Sequence, residues 1–262
     1  MFMEDIRHFA EAIAKEAGGI LLSGFRAHDT QISYKSATDI VTNIDKESEE
    51  FLVAEVAKKF PRHDIIAEEG GERNSKSDLV WYIDPLDATN NFAHGIPFFC
   101  VSLGVFSRRL QKVVVGVVYD PVHNELFSAH HKGGAYLNGV PIHVSKIEHL
   151  IGSLLATGFP VNRSSECKDN LEEFSKLAPV SMGIRRIGSA ALDLCYTACG
   201  RFDGYWEPEL KPWDMAAGAV IVEEAGGTVT RYNGGLFVPE YPEIVATNGR
   251  IHEEVVRYIA NS

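Results

Sequence analysis

Trp81-Tyr82-Ile83-Asp84-Pro85-Leu86-Asp87-Ala88-Thr89-Asn90-Asn91-Phe92 is the stretch on which the reading of this chain turns. An apolar β-rich run from Leu79 to Ile83 ends in Asp84, Pro85 is expected to stop the strand, and Asp87 follows three residues on. Thr89, Asn90 and Asn91 then offer helix-capping side chains ahead of Phe92. Carboxylates at a strand exit beside the N–H groups of a helix start can receive both a cation and an anion. Asp-Pro and Asn/Asp/Thr clusters are also ordinary turn chemistry, so this segment alone leaves both readings open.

Outward from it, the first half reads as helices on a mostly antiparallel sheet. Ile6, Phe9, Ile13, Ala17, Ile20 and Leu21 recur near a 3.6-residue period and predict an amphipathic helix over 5–25. A second helix follows Thr42 and closes before Pro61. Runs at 98–106, 112–119, 125–129 and 135–144 are β-rich, and Asn138-Gly139 signals a hairpin. After about residue 150 strands and helices alternate: strands near 154–157, 182–186, 203–206, 228–231 and 243–247, helices near 170–178, 188–199, 214–225 and 250–260. We expect two tightly packed halves, an α+β half over 1–148 and an α/β half over 149–262.

Composition narrows the function classes. The 262 residues carry 25 Lys+Arg against 36 Asp+Glu, a net charge of −11, with 45% hydrophobic and 23% charged residues. That is an ordinary folded globule, not a disordered or fibrous chain. The acidic balance argues against nucleic acid as a partner, since phosphate backbones are held by Lys/Arg clusters. The longest apolar run, Val113 to Tyr119, is far short of the roughly 20 residues of a membrane span. With no basic-then-apolar leader and only four scattered cysteines, a reducing cytoplasm is the expectation.

Other acids join the opening stretch. Glu68 and Glu69 end the apolar run Ile65-Ile66-Ala67 and precede Gly70-Gly71, again at a strand exit. Asp214, in Trp213-Asp214-Met215-Ala216-Ala217-Gly218, falls in the first turn of an apolar helix, where a lone Asp is a common dipole partner. Thr42 and Asp45 have the spacing of a capping box. Were Glu68, Asp84, Asp87 and Asp214 to converge, carboxylates about 4 Å apart would repel by about 4 kcal/mol at an effective dielectric near 20. Protons or hard divalent cations must then hold them together.

Taken together these residues resemble the inositol monophosphatase family. Asp84-Pro85-Leu86-Asp87-Ala88-Thr89 is similar to its DP[IL]DGT signature, and Trp213 to Gly218 to its WD-x-AAG signature. Asp39 to Thr42 with Asp45, Ala67-Glu68-Glu69, and Gly183 to Ala191 match in order and spacing, so the resemblance spans nearly the whole chain. Ala88 departs from the pattern where the family has Gly, and introduces strain if the loop needs φ > 0. The resemblance implies a layered α-β-α-β-α sandwich and a cytoplasmic, lithium-sensitive homodimer that hydrolyses small phosphate monoesters with two or three Mg²⁺ ions. By position, Glu68, Asp84 and the Leu86 carbonyl would hold one ion and Asp84, Asp87 and Asp214 a second, with Glu68 helping a weaker third. Thr89, paired with Asp45, would activate water, and the N–H groups of Ala88 and Thr89 would grip phosphate. Glu207, Ser189 and Ala190 would face the substrate alcohol.

Inositol monophosphate leads the implied substrates, ahead of NADP, fructose bisphosphate and bisphosphate nucleotides. A metal-independent glycosidase using two of the acids and a non-enzymatic Ca²⁺-binding module are the rivals, although the acids lack EF-hand spacing. Cys195 and Cys199 read as buried helix thiols, His130-His131 as solvated surface, Lys35 as an exposed side chain, and Trp81 and Trp206 as core.

Overall fold

Helix α1 (Phe2–Gly24) buries Ile6, Ala10, Ile13, Ala14, Ala17 and Leu21, the three- and four-residue spacing that gives a helix one apolar face. In the computed structural model the described residues are 2–27, 31–34, 40–74, 76–160 and 168–260, so Lys35, Asp39 and Cys167 lie outside them. The order continues β1 (Ile32–Tyr34), β2 (Ile40–Thr42), α2 (Asn43–Lys59), β3 (Asp64–Ala67), β4 (Glu72–Arg73), β5 (Leu79–Asp87), α3 (Thr89–Ala93), β6 (Cys100–Ser107), β7 (Lys112–Asp120), β8 (Glu125–His130), β9 (Ala135–Leu137) and β10 (Val140–Pro141). There follow β11 (Leu154–Thr157), α4 (Leu171–Leu177), β12 (Gly183–Arg185), α5 (Ala190–Ala198), β13 (Gly204–Pro208), α6 (Pro212–Glu224), β14 (Thr228–Thr230), β15 (Glu243–Thr247) and α7 (His252–Ile259).

Eight strands form one sheet in the order β10-β9-β8-β7-β6-β5-β3-β4, antiparallel except where β3 meets β5. Five form a second, β12-β11-β13-β15-β14, parallel through β12, β11 and β13 and antiparallel beyond. Strand alternation sends Trp81, Ile83, Leu103 and Val105 toward α1 and α2, while Val80, Tyr82, Phe106 and Val113 pack with Ala216 and Val220 of α6. Helices α5 and α6 lie between the sheets, and Leu177 of α4 and Val255 and Ile259 of α7 cover the far face with Leu155, Trp206 and Val245. The layers therefore run α-β-α-β-α, as expected.

Two features fix where α6 sits. Gly104 of β6 and Gly116 of β7 face one another across the ladder, and α6 crosses directly over the pair. A Cβ on Gly116 would lie 2.3 Å from the Ala217 carbonyl oxygen, and one on Gly104 2.6 Å from the Ala216 Cβ. The absence of side chains there lets helix backbone approach strand backbone. Ser102 Oγ also donates to the Trp213 carbonyl at 3.1 Å, tying the first turn of α6 to the sheet.

The structure corrects two local readings. Pro85 does not end the strand: β5 runs on to Asp87, because the register to β6 shifts between Asp84 and Asp87 and the imide falls in that irregularity, where no ladder N–H is required. His130 and His131 are half-buried and not solvated surface. His131 lies 3.6 Å from Glu224, and the tight turn at Gly133 presses its backbone against the His130 ring. The hairpin at Asn138-Gly139 is as read, with φ of +51° and +77°. Trp81 and Trp206 are fully buried, as is Cys195, with Cys199 half-buried beside it.

Candidate active site

The turn that follows β5 is held from below by α2. Thr42 caps that helix, its Oγ1 accepting from the N–H groups of Ile44 and Asp45, while Asp45 Oδ2 accepts the Thr42 N–H at 2.9 Å. The predicted capping box is therefore present, and the other oxygen of Asp45 does a second task. Asp45 Oδ1 accepts the Thr89 hydroxyl at 2.9 Å, a contact across 44 residues of sequence. The same hydroxyl lies 3.1 Å from the Leu86 carbonyl, and Ser48 Oγ donates to the Pro85 carbonyl at 3.0 Å. Asp45 is fully buried, and that burial raises its carboxyl above the ordinary range despite the hydrogen bonds from Thr42 and Thr89.

Asp84 is buried at the last regular position of the strand, its Oδ1 accepting the Leu86 N–H at 3.0 Å. Asp87 Oδ2 accepts from Ser189 Oγ at 2.5 Å, from the Ala191 N–H at 2.9 Å and from Cys100 Sγ at 3.7 Å. The Ala88 N–H also donates to the Asp87 carboxylate. Ala88 itself adopts φ +74° and ψ +48°, the left-handed region, so the strain anticipated for a side chain at this position is real. Asp214 sits in the first turn of α6, Oδ2 accepting the Lys211 N–H at 2.7 Å. Glu68 is half-buried on the turn after β3.

These four carboxylates feel one another. Burial pushes Asp84 well above the usual carboxylate range, and Glu68, Asp87 and Asp214 push it further. Asp214 is raised by burial, then by Asp87 and Glu68, and Asp87 is raised by burial against the pull of its hydrogen bonds. Such a group must bind protons or cations. Among the described residues no three His, Cys, Asp or Glu side chains close into one compact metal shell.

The remaining expected residues lie beside this cluster. Glu207 on β13 is half-buried, and Tyr205 donates to its Oε2 at 2.5 Å. Burial lifts its carboxyl to about 7, against the lowering effect of Tyr205 and Arg186. Ser189, the N-cap of α5, is fully buried, with its hydroxyl donating to Asp87 and accepting the Leu192 N–H at 3.2 Å. Its one donor hydrogen is therefore spent inside the protein. Ala190 follows in the first turn, also buried.

Two participants were not singled out from the sequence, and a third, Asn91, was read there only as a helix-capping side chain. Glu49 on α2 accepts the N–H groups of Glu69 (2.7 Å) and Gly71 (2.9 Å), shaping the turn that carries Glu68. Its signal was an acid on the buried face of α2, next to Ser48 and Leu52. Cys100 opens β6 beneath Asp87 and carries no sequence signal for that contact. Asn91 joins the turn to the segment before α5, donating to the carbonyls of Phe98 and Ile187 at 2.8 and 2.9 Å.

A model of the inositol monophosphatase family matches residues 3–262. The chain belongs to the inositol monophosphatase family. With that membership it is a phosphatase, a hydrolase of small phosphorylated substrates. It is 43% identical over 259 residues to the Nus factor SuhB of Pasteurella multocida, covering 98% of this chain and 96% of that one. It is 45% identical over 225 residues to an inositol-1-monophosphatase of Synechocystis, covering 86% and 78%. Among solved structures, the inositol monophosphatase of Anabaena (Nostoc) superposes with a TM-score of 0.90 at 40% identity, covering 100% and 97%.

Proposed function

We propose that this member of the family hydrolyses the phosphate monoester of a small polyol in the presence of Mg²⁺, with inositol monophosphate giving inositol and inorganic phosphate. What supports the reading is the Thr89 hydroxyl bonded to a buried Asp45, in a turn where Asp84 and Asp214 are raised by burial and by the neighbouring charges of Glu68 and Asp87. Glu68, Asp84 and the Leu86 carbonyl would hold one ion, Asp84, Asp87 and Asp214 a second, and Glu68 would help with a weaker third. Bound Mg²⁺ would supply charge neutralisation for a dianionic substrate approaching an acidic protein, and a lowered pKa for the attacking water.

The protein's own groups do the rest. Asp45 holds the Thr89 hydroxyl by Oδ1 and, with its affinity for a proton raised by burial, draws the proton that Thr89 Oγ1 relays from the attacking water. The N–H groups of Ala88 and Thr89 orient the phosphate, for which the Ala88 N–H must leave the Asp87 carboxylate. Glu207 accepts a hydroxyl of the alcohol being released, which favours a polyol. Ser189 and Ala190 serve the substrate side through the start of α5 and not through the Ser189 hydroxyl.

A second copy of this chain as partner, a cytoplasmic location and inhibition by lithium complete the proposal on the strength of family membership. No helix among the described residues is long and apolar enough to cross a membrane. The test is phosphate release by the purified chain with Mg²⁺ from inositol monophosphate, NADP, fructose bisphosphate and a bisphosphate nucleotide, each repeated with EDTA. The highest kcat/KM on inositol monophosphate, abolished by EDTA, is expected. A higher value on another substrate overturns the polyol assignment, and EDTA-insensitive turnover overturns the metal chemistry.

A further inference from the structure

Strands β11 and β13 run parallel side by side, with Thr157 opposite Trp206, so that Gly158 comes next to Glu207. Gly158 has no positive φ, and nothing in its backbone demands glycine. What demands it is space. A Cβ there would lie 2.0 Å from Oε2, 2.2 Å from Cδ and 2.2 Å from Oε1 of Glu207. The carboxylate is laid flat on the bare Cα of Gly158, and Tyr205, two residues earlier on the same face of β13, holds its Oε2.

The peptides on either side of this contact are clamped by a buried polar network. Asn170 Nδ2 donates to the Gly158 carbonyl at 2.6 Å and to Thr157 Oγ1 at 2.8 Å, and Asn170 Oδ1 accepts the Trp206 Nε1–H at 2.7 Å. Thr157 Oγ1 in turn donates to the Trp206 carbonyl at 2.6 Å. Asn170, Thr157 and Trp206 are all fully buried. A buried hydrogen-bonded network of this kind rigidifies the backbone that it joins. Its product is a rigid floor under one carboxylate.

We propose that Gly158 and Tyr205 are specificity-determining positioning residues: together they fix the Glu207 carboxylate with Oε2 occupied and Oε1 left to accept a hydroxyl of the substrate alcohol. The inference rests on the polyol reading of Glu207 given above and adds what makes Glu207 selective. A side chain at 158 forces the carboxylate off its floor, so the protein loses preference for hydroxylated leaving groups rather than phosphatase chemistry as such. A hydrogen bond to a charged acceptor sets the scale at about tenfold or more in relative kcat/KM.

The experiment compares kcat/KM for inositol monophosphate with that for p-nitrophenyl phosphate, which offers no ring hydroxyl, in wild type, Gly158→Ala, Glu207→Ala and the double variant. Circular dichroism checks that each variant is folded. Gly158→Ala should lower the ratio about tenfold or more, as should Glu207→Ala, and the double variant should fall no further than either. Tyr205→Phe provides a second, sterically mild probe. The charges facing Glu207 are Asp87, Asp214, Asp193 and Arg186, with the phenols Tyr205 and Tyr232. Of these Tyr205 donates a hydrogen bond that favours the ionised form, so its loss should move the pH dependence of KM for inositol monophosphate to higher pH. A ratio unchanged by Glu207→Ala overturns the polyol reading itself. A ratio lowered by Glu207→Ala but unchanged by Gly158→Ala, additive effects in the double variant, or an unmoved pH profile in Tyr205→Phe overturns the positioning role alone.

Discussion

Replacing Gly116 by Ala probes whether the contact between α6 and the large sheet sets the metal geometry. The added Cβ would meet the Ala217 carbonyl oxygen at 2.3 Å, and helix backbone cannot swing aside as a flexible side chain would. To restore 3.0 Å, α6 must retreat by about 0.7 Å, carrying Asp214 in its first turn away from Asp84 and Asp87. Overpacking of this kind costs about 1–3 kcal/mol, or about 3 to 10 °C in Tm for a chain of this length. Misplacement approaching 1 Å at a reacting centre costs up to about 100-fold in rate. Scanning calorimetry in EDTA reads the first effect, and Mg²⁺ titration of turnover reads the second. A variant whose Tm stays within about 1 °C of wild type and whose Mg²⁺ dependence is unmoved would refute the reasoning, because it would mean that Gly116 does not govern the approach of α6.

Three further outcomes are expected. Ala88→Gly should stabilise the fold by about 0.5–1 kcal/mol, since relief of a left-handed side chain at φ +74° outweighs the added freedom of the unfolded chain; a lower Tm by calorimetry would contradict it. Asp214→Asn should cut kcat about 100-fold or more while raising Tm in EDTA, because one of four mutually repelling carboxylates is neutralised and the amide oxygen still accepts the Lys211 N–H; a lowered Tm would count against the cluster. His252, between Thr230 Oγ1 (2.9 Å) and Thr247 Oγ1 (3.0 Å), has its pKa lowered by burial, so below about pH 6.5 the unfolded chain takes up the proton first and stability falls with falling pH. Tm measured from pH 7.5 down to pH 5 (on the order of the histidine window) should drop less steeply in His252→Asn than in wild type.

Much of this site was legible because its chemistry is carried by short segments. The acids of 84–89, the capping pair Thr42 and Asp45, and the helix start at Asp214 each declare a local conformation through residue type and spacing. What the sequence did not disclose is how they meet. Gly104 and Gly116 are visible as small residues in β-rich runs, but their partner α6 lies a hundred residues away, and nothing local names it. Pro85 misled for a related reason: it excludes an N–H, and whether that matters depends on the neighbouring strand, which here slips register at that point. The resemblance implied a substrate-facing Ser189, whereas its one donor hydrogen goes to Asp87 and it accepts from the Leu192 amide, a pairing that only coordinates reveal. The sign of φ at Ala88 was likewise open until the turn was seen whole.

One oxygen of Asp87 has a consequence for ion choice. Ser189, the Ala191 amide and Cys100 all donate to Oδ2, which disfavours side-on chelation of a cation through both oxygens. Calcium takes six to eight oxygens and accepts carboxylates side-on, while magnesium demands an octahedron that single-oxygen donors and waters fill. Were Asp87 to hold an ion as proposed, the tether on Oδ2 would favour a cation content with a single oxygen from it.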